Sequence, residues 1–231
     1  MHSTTQWTLM VAASTLALLG CAGGTAQQDG GPQQMTFFLT SVNPGKGGDL
    51  GGLAGADAHC QKLASAAGAG KRTWRAYLST QGVELGDKGI IHARDRIGAG
   101  PWYNAKGVRV SRDVEDLHSA RNNVTKETAL DERGQPVNGR TEKPNRHDIL
   151  TGSRPDGTAL PPSGRFGDMT CNNWTNGGDK GAAMLGHHDR AGPTSDAWAV
   201  SWNSAHPSIG CNLGLLAKTG GAGLLYCFAA N

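Results

Sequence analysis

The stretch Gly51 to Thr80, GGLAGADAHCQKLASAAGAGKRTWRAYLST, decides the fold because its apolar period changes midway. Leu53, Ala56, Cys60, Leu63, Ala64 and Ala67 recur at helical spacing until Gly68 and Gly70 end the pattern. Cys60 therefore faces a core from a helix. Trp74, Ala76 and Leu78 then alternate with Arg75, Tyr77 and Ser79, the pattern of a half-buried strand.

Upstream, Met35 to Ser41 (MTFFLTS) predicts a first strand, closed by the turn signal Asn43-Pro44-Gly45. Downstream, Ile90 to Tyr103 has no clean period, and Val114 with Leu117 supports a short helix after Ser111. The polar run from Asn122 to Lys143 carries a turn at Asp131-Glu132-Arg133-Gly134, and Leu224 to Ala229 reads as a terminal strand containing Cys227. With 35 glycines in 231 residues and only 18% charged residues, the chain is loop-rich rather than helical. No repeat or second linker divides it, so residues 35–231 form one domain. The net charge of +3, without a nucleic-acid motif, gives no reason to expect a nucleic-acid partner.

Met1 to Gly20 contains no Lys, Arg, Asp or Glu, and its apolar run is too short to span a membrane but suits a signal-peptide core. Leu18-Leu19-Gly20-Cys21 resembles the bacterial lipobox, although His2 stands in place of the usual Lys or Arg. The resemblance implies a signal peptide over residues 1–20, acylation of Cys21, and a small, polar, flexible tether over residues 21–34. Ala22 after the cysteine favours the outer membrane by the usual sorting rule. The other cysteines, Cys60, Cys171, Cys211 and Cys227, are an even set in an exported chain, and no C-x-x-C suggests zinc or redox chemistry. Spacing alone leaves three pairings open.

Gly51 to Thr80, followed in order by ARDRIGAGPWYNAKG, ILTGSRPDGT, TCNNWTN, AMLGHHD and LLYCF, resembles the endostatin domain of collagens XV and XVIII. It resembles still more closely a group of bacterial lectin-like lipoproteins. The resemblance covers nearly all of the chain from Met35 onward. It implies an α+β, C-type-lectin-like fold: a twisted antiparallel sheet with two helices, long loops, paired chain ends, and nested disulfides Cys60 with Cys227 and Cys171 with Cys211. Endostatin's zinc-binding N-terminal histidines have no counterpart near Met35, so that site is not carried over.

The function expected from these features is binding, with a glycan or another polymeric surface ligand as partner and the lipid on Cys21 as the membrane contact. Sugar sites combine an aromatic face with planar polar side chains. Cys171 to Asp179 (CNNWTNGGD) offers Asn172, Asn173 and Trp174, and Ser201 to His206 (SWNSAH) adds Trp202 and Asn203. Trp174 is also a natural core residue beside its cysteine, and Trp74, Trp102 and Trp198 read as core. Trp202-Asn203 resembles part of the Trp-Asn-Asp motif of calcium-dependent lectins, but Ser204 replaces the aspartate and the Glu-Pro-Asn partner is missing. No cofactor is required on this reading, and calcium enters only through that incomplete motif.

The densest polar cluster is His187-His188-Asp189 with Arg146-His147-Asp148 and Asp156. His188, Asp189, Asp148 and Asp156 join the ligand-binding candidates. Neighbours on a strand point to opposite faces, so His187 and His188 are not expected to hold one ion together. Arg94, Arg96, Arg109 and Arg112 form a candidate anion site, interrupted by Asp95, Asp113, Glu115 and Asp116. The alternatives are a protein-interaction module of the envelope using that arginine face, and an enzyme using His187 to Asp189. The second lacks a recognisable catalytic motif.

Overall fold

The computed structural model of the chain describes residues 1–2, 35–84, 86–161 and 167–231. Apart from Met1 and His2, the expected signal segment, the lipidation site Cys21 and the tether lie outside the described residues. The domain mixes helices with a sheet. Strand β1 (Phe37–Leu39) leads to helix α1 (Gly52–Ala66) and strand β2 (Trp74–Ala76). A hairpin of β3 (Trp102–Tyr103) and β4 (Arg109–Ser111) follows, then α2 (Val114–Leu117), β5 (Asp148–Leu150), α3 (Cys171–Trp174), β6 (Met184–His187) and β7 (His206–Pro207). Helix α4 (Leu213–Thr219) precedes the longest strand, β8 (Gly221–Ala229).

The main sheet runs β1-β8-β5-β6-β7, with β2 also paired to β8. It is mixed rather than antiparallel, because β5 lies parallel to β8 while β1, β2, β6 and β7 pair antiparallel with their neighbours. Among the described residues there are four α-helices where the resemblance implied two; α2, the short helix read after Ser111, and α3 are single turns. The chain ends meet as expected, Phe37 opposite Phe228 and Phe38 opposite Cys227.

Burial on both faces explains the sheet's composition. Leu225, Cys227 and Ala229 pack toward α1 with Phe38, Trp74, Leu150 and Trp174. Leu224, Tyr226 and Phe228 pack on the opposite side with Phe37, Tyr77, Trp102, Ile149 and Trp202. A strand buried on both faces reads as a continuous apolar run. The same second core explains why Tyr77, expected on the exposed face of a half-buried strand, is fully buried.

Two disulfides link Cys60 with Cys227 and Cys171 with Cys211. The first fastens α1 to β8. Asp57, one turn before Cys60, adds a polar clamp. It accepts from the Ala76 amide at 2.9 Å, from Arg75 at 2.8 Å, and from Arg96 through both carboxylate oxygens at 2.8 and 2.7 Å. Removing Asp57 would leave the nearly buried Arg96 guanidinium uncompensated, which typically costs about 3–5 kcal/mol.

Candidate metal centre

Sheet register gathers residues that are far apart in the chain. Asp148 opens β5 directly opposite His187, the last residue of β6, and His206 pairs with Leu185 on the same strand. Because Leu185 and His187 are two residues apart on β6, Asp148, His187 and His206 share one face of the sheet. His147 enters from the residue before β5. The close approach of the 202–206 segment depends on Gly186, whose absent Cβ would lie 1.9 Å from the Trp202 carbonyl oxygen.

Three imidazole nitrogens converge on one carboxylate oxygen. Asp148 Oδ1 lies 3.1 Å from His147 Nε2, 3.2 Å from His187 Nε2 and 3.5 Å from His206 Nε2. The His147 and His187 rings stack with centroids 4.2 Å apart, and His206 meets His187 edge-on at 5.0 Å. Asp148, His147 and His187 are buried, whereas the His206 side chain keeps 28% of its surface. This opens the cluster on one side.

Each ring's other nitrogen is already engaged. His147 Nδ1 faces Asp189 Oδ1 at 3.2 Å, His187 Nδ1 the Ala199 carbonyl at 2.7 Å, and His206 Nδ1 the Pro207 carbonyl at 3.1 Å. A carbonyl or an ionised carboxylate can only accept, so each Nδ1 carries a proton and Nε2 is the atom each ring turns toward Asp148. Accordingly, neither Asp148 oxygen receives a hydrogen bond and His187 Nε2 has no partner.

Charge in the pocket follows from these contacts. Burial works to raise the pKa of Asp148, but the neighbouring imidazoles of His187, His206 and His147 outweigh it and hold it below the usual carboxylate range. Asp148 in turn raises the pKa of His206 against the effect of burial. Asp189, partly desolvated, is held well below the ordinary range by His147 and by the Arg140 and Ala191 amides. His187, His147 and Asp148 present ligand atoms within 4.8 Å of one another, and His206 Nε2, outside that group, approaches Asp148 Oδ1 at 3.5 Å from the open side. Such a set can hold a cation.

The other expected site residues fall elsewhere. His188 points away from the cluster, with Nε2 at the Asn138 carbonyl, and burial lowers its pKa to about 4. Trp174 and Trp202 are core residues rather than solvent-facing platforms. Trp174 donates to the Ser79 carbonyl, and Trp202 packs 4.9 Å from Tyr77. Asn203 is buried against Tyr77, and Asn173 both donates to and accepts from the Gln81 backbone. Cys171, Asn172, Asn173 and Trp174 all adopt left-handed φ values of 48–68°, which turn this segment inward. Asn172 remains exposed, bonded to Thr175, and Asp156 stays in its own turn, bonded to Thr158.

Trp198 corrects a core expectation, since 48% of its surface is exposed. The arginines do not assemble one free anion cradle. Arg96 is committed to Asp57, Arg112 to Asp116, and Arg94 donates to the Asp156 carbonyl, while Arg109 is exposed. His147, His187 and His206 were not singled out as ligands by sequence. The only signal was histidine density, because their spacings of 40 and 19 residues match no local motif. Comparison with models of known protein families and with curated proteins found no match.

Proposed function

We propose that this chain is an exported domain of the cell envelope, of C-type-lectin-like fold and anchored through lipid on Cys21, which works by binding a cation in the Asp148 pocket. One observation carries the reading: a buried carboxylate with no hydrogen-bond donor, ringed by three imidazole nitrogens. An unpaired buried charge costs several kcal/mol, which a bound cation offsets. Binding is favoured over catalysis because the four described cysteines are in disulfides and Ser153 is spent on the Thr151 carbonyl. The two disulfides are consistent with an oxidising compartment.

The test is metal content. Full-length chain in detergent, without an affinity tag, is stripped with chelator, dialysed against a panel of divalent ions and analysed for bound metal. One equivalent in the native chain and none in folded Asp148→Asn supports the reading. Retention of no divalent cation by the native chain refutes it. Loss of acyl labelling in Cys21→Ala tests the anchor separately.

A second reading, recognition of a glycan or another surface polymer, is favoured by Trp198. It projects from residues 193–198, all exposed, among Thr194, Ser195 and Asp196. Glycan-array binding that Trp198→Ala abolishes would support it, and binding unchanged by that substitution would exclude this surface.

A further inference from the structure

Resting on the cation-binding reading, we infer that the pocket is a four-coordinate site for a zinc-class ion, ligated by His147 Nε2, Asp148 Oδ1, His187 Nε2 and His206 Nε2, and that the ion fastens the 188–205 segment to the sheet. Three features of the pocket specify this class: donor chemistry, spacing and ring orientation.

Three imidazole nitrogens and one carboxylate oxygen form a borderline-soft donor set. Calcium takes six to eight oxygens, and magnesium requires near-octahedral oxygen coordination with several waters retained. Neither is served here, so the calcium suggested by the partial lectin motif does not fit this pocket. Zinc accepts four N/O donors at about 2.0–2.2 Å, which places neighbouring ligand atoms of a tetrahedron about 3.3–3.5 Å apart. The separations of His147 and His187 Nε2 from Asp148 Oδ1, 3.1 and 3.2 Å, lie close to that edge, and the part-exposed His206, whose Nε2 is 3.5 Å from Asp148 Oδ1 but outside the group of donors within 4.8 Å of one another, completes the set by turning its ring inward. With Cys60, Cys171, Cys211 and Cys227 in disulfides, none of these thiolates competes for the ion.

Ring orientation is independent evidence. Metal-binding histidines donate their second nitrogen to a carboxylate or carbonyl, which fixes the tautomer and raises ligand basicity. All three rings here do so, through Asp189, Ala199 and Pro207. A divalent cation engages all four groups at once.

The topology gives the ion a mechanical role. His187 and His206 bracket residues 188–205, and this segment also supplies Asp189 and Ala199 to the outer shell. Four protein ligands complete a tetrahedron, the arrangement of structural zinc, whereas a catalytic site leaves one position for water. The ion therefore joins β5, β6 and β7 and closes the segment between them.

The test uses Co2+ as a spectroscopic substitute for zinc on the stripped full-length chain. Intense visible bands of four-coordinate cobalt should saturate at one equivalent, disappear on adding Zn2+ and persist in excess Ca2+. Asp189→Asn, which leaves the ligands in place, should weaken Zn2+ affinity by about 10–100-fold. Zn2+ should also protect residues 188–205 from limited proteolysis.

Binding of Ca2+ or Mg2+ without cobalt bands, or a weak six-coordinate cobalt spectrum, would overturn the zinc assignment while leaving a cation site in place. Tetrahedral binding without protection of the loop would overturn the fastening role. Absence of every ion would overturn the cation-binding reading itself. The native-chain spectra need no variant, so misfolding of a mutant cannot obscure the result.

Discussion

Replacing Asp148 with asparagine should change the sign of its effect with metal. In chelator the native pocket holds a buried carboxylate without hydrogen-bond donors. Asparagine keeps the shape, removes the charge and brings an N–H within reach of the His187 Nε2 lone pair, 3.2 Å from the present Oδ1. Relieving unsatisfied buried groups is worth about 1–3 kcal/mol, so the variant should unfold at the same or a higher temperature than the native chain. In Zn2+ at 100 times the dissociation constant, the native chain gains about 2.7 kcal/mol. For a domain of this size that corresponds to roughly 5–10 °C in Tm, and Asp148→Asn should gain little of it. Calorimetry or fluorescence-monitored melting with chelator and with zinc reads both states. If Asp148→Asn is destabilised equally in both, Asp148 belongs to an internal polar network and the metal argument fails.

Gly186→Ala should drive the Trp202–His206 segment from β6, since the new Cβ would meet the Trp202 carbonyl at 1.9 Å. Melting and Zn2+ titration should show lower stability and weaker binding, and an unchanged affinity would contradict the placement of His206. Breaking Cys171–Cys211 with paired serines releases a closure spanning a sequence separation of 40, worth about 4 kcal/mol in the chain-entropy model, and denaturant unfolding should show a loss of that order.

Asp116 provides a pH test: hydrogen bonds from the Arg112 amide and guanidinium lower its pKa to about 2. A depressed carboxylate stabilises the fold above its unfolded pKa, and this contribution is lost as pH falls from about 4 through about 2. Because Arg112 and Arg121 are open to solvent, it should amount to only about 1 kcal/mol. Asp116→Asn should therefore lower stability at neutral pH and converge with the native chain near pH 2, as read by urea melts.

Periodicity and composition made part of the fold legible. The change of period across Gly51 to Thr80 gave α1 and β2, and the apolar run at the C-terminus gave β8. Its parallel neighbour was hidden because β5 has only three residues and joins the sheet through register with Leu224 and Leu225. The left-handed turn at Cys171 to Trp174 was hidden for a related reason: Asn172 and Asn173 are compatible with positive φ but do not require it. That turn directs polar and aromatic residues resembling a sugar-binding loop into the fold.

The candidate site was less legible because its donors meet across strands. Asp148 could be marked as a polar residue in a histidine-rich region, but its role depends on pairing opposite His187 while β7 brings in His206. The adjacent pair His187-His188 illustrates the limit of composition. Alternation along the chain correctly implies that only one can serve a given face, but not which one. Hydrogen-bond direction decides: His187 leaves Nε2 toward the carboxylate, whereas His188 gives its Nε2 to Asn138. Proximity in sequence supplies imidazoles to the region; the outer-shell acceptors turn three of them into converging donors.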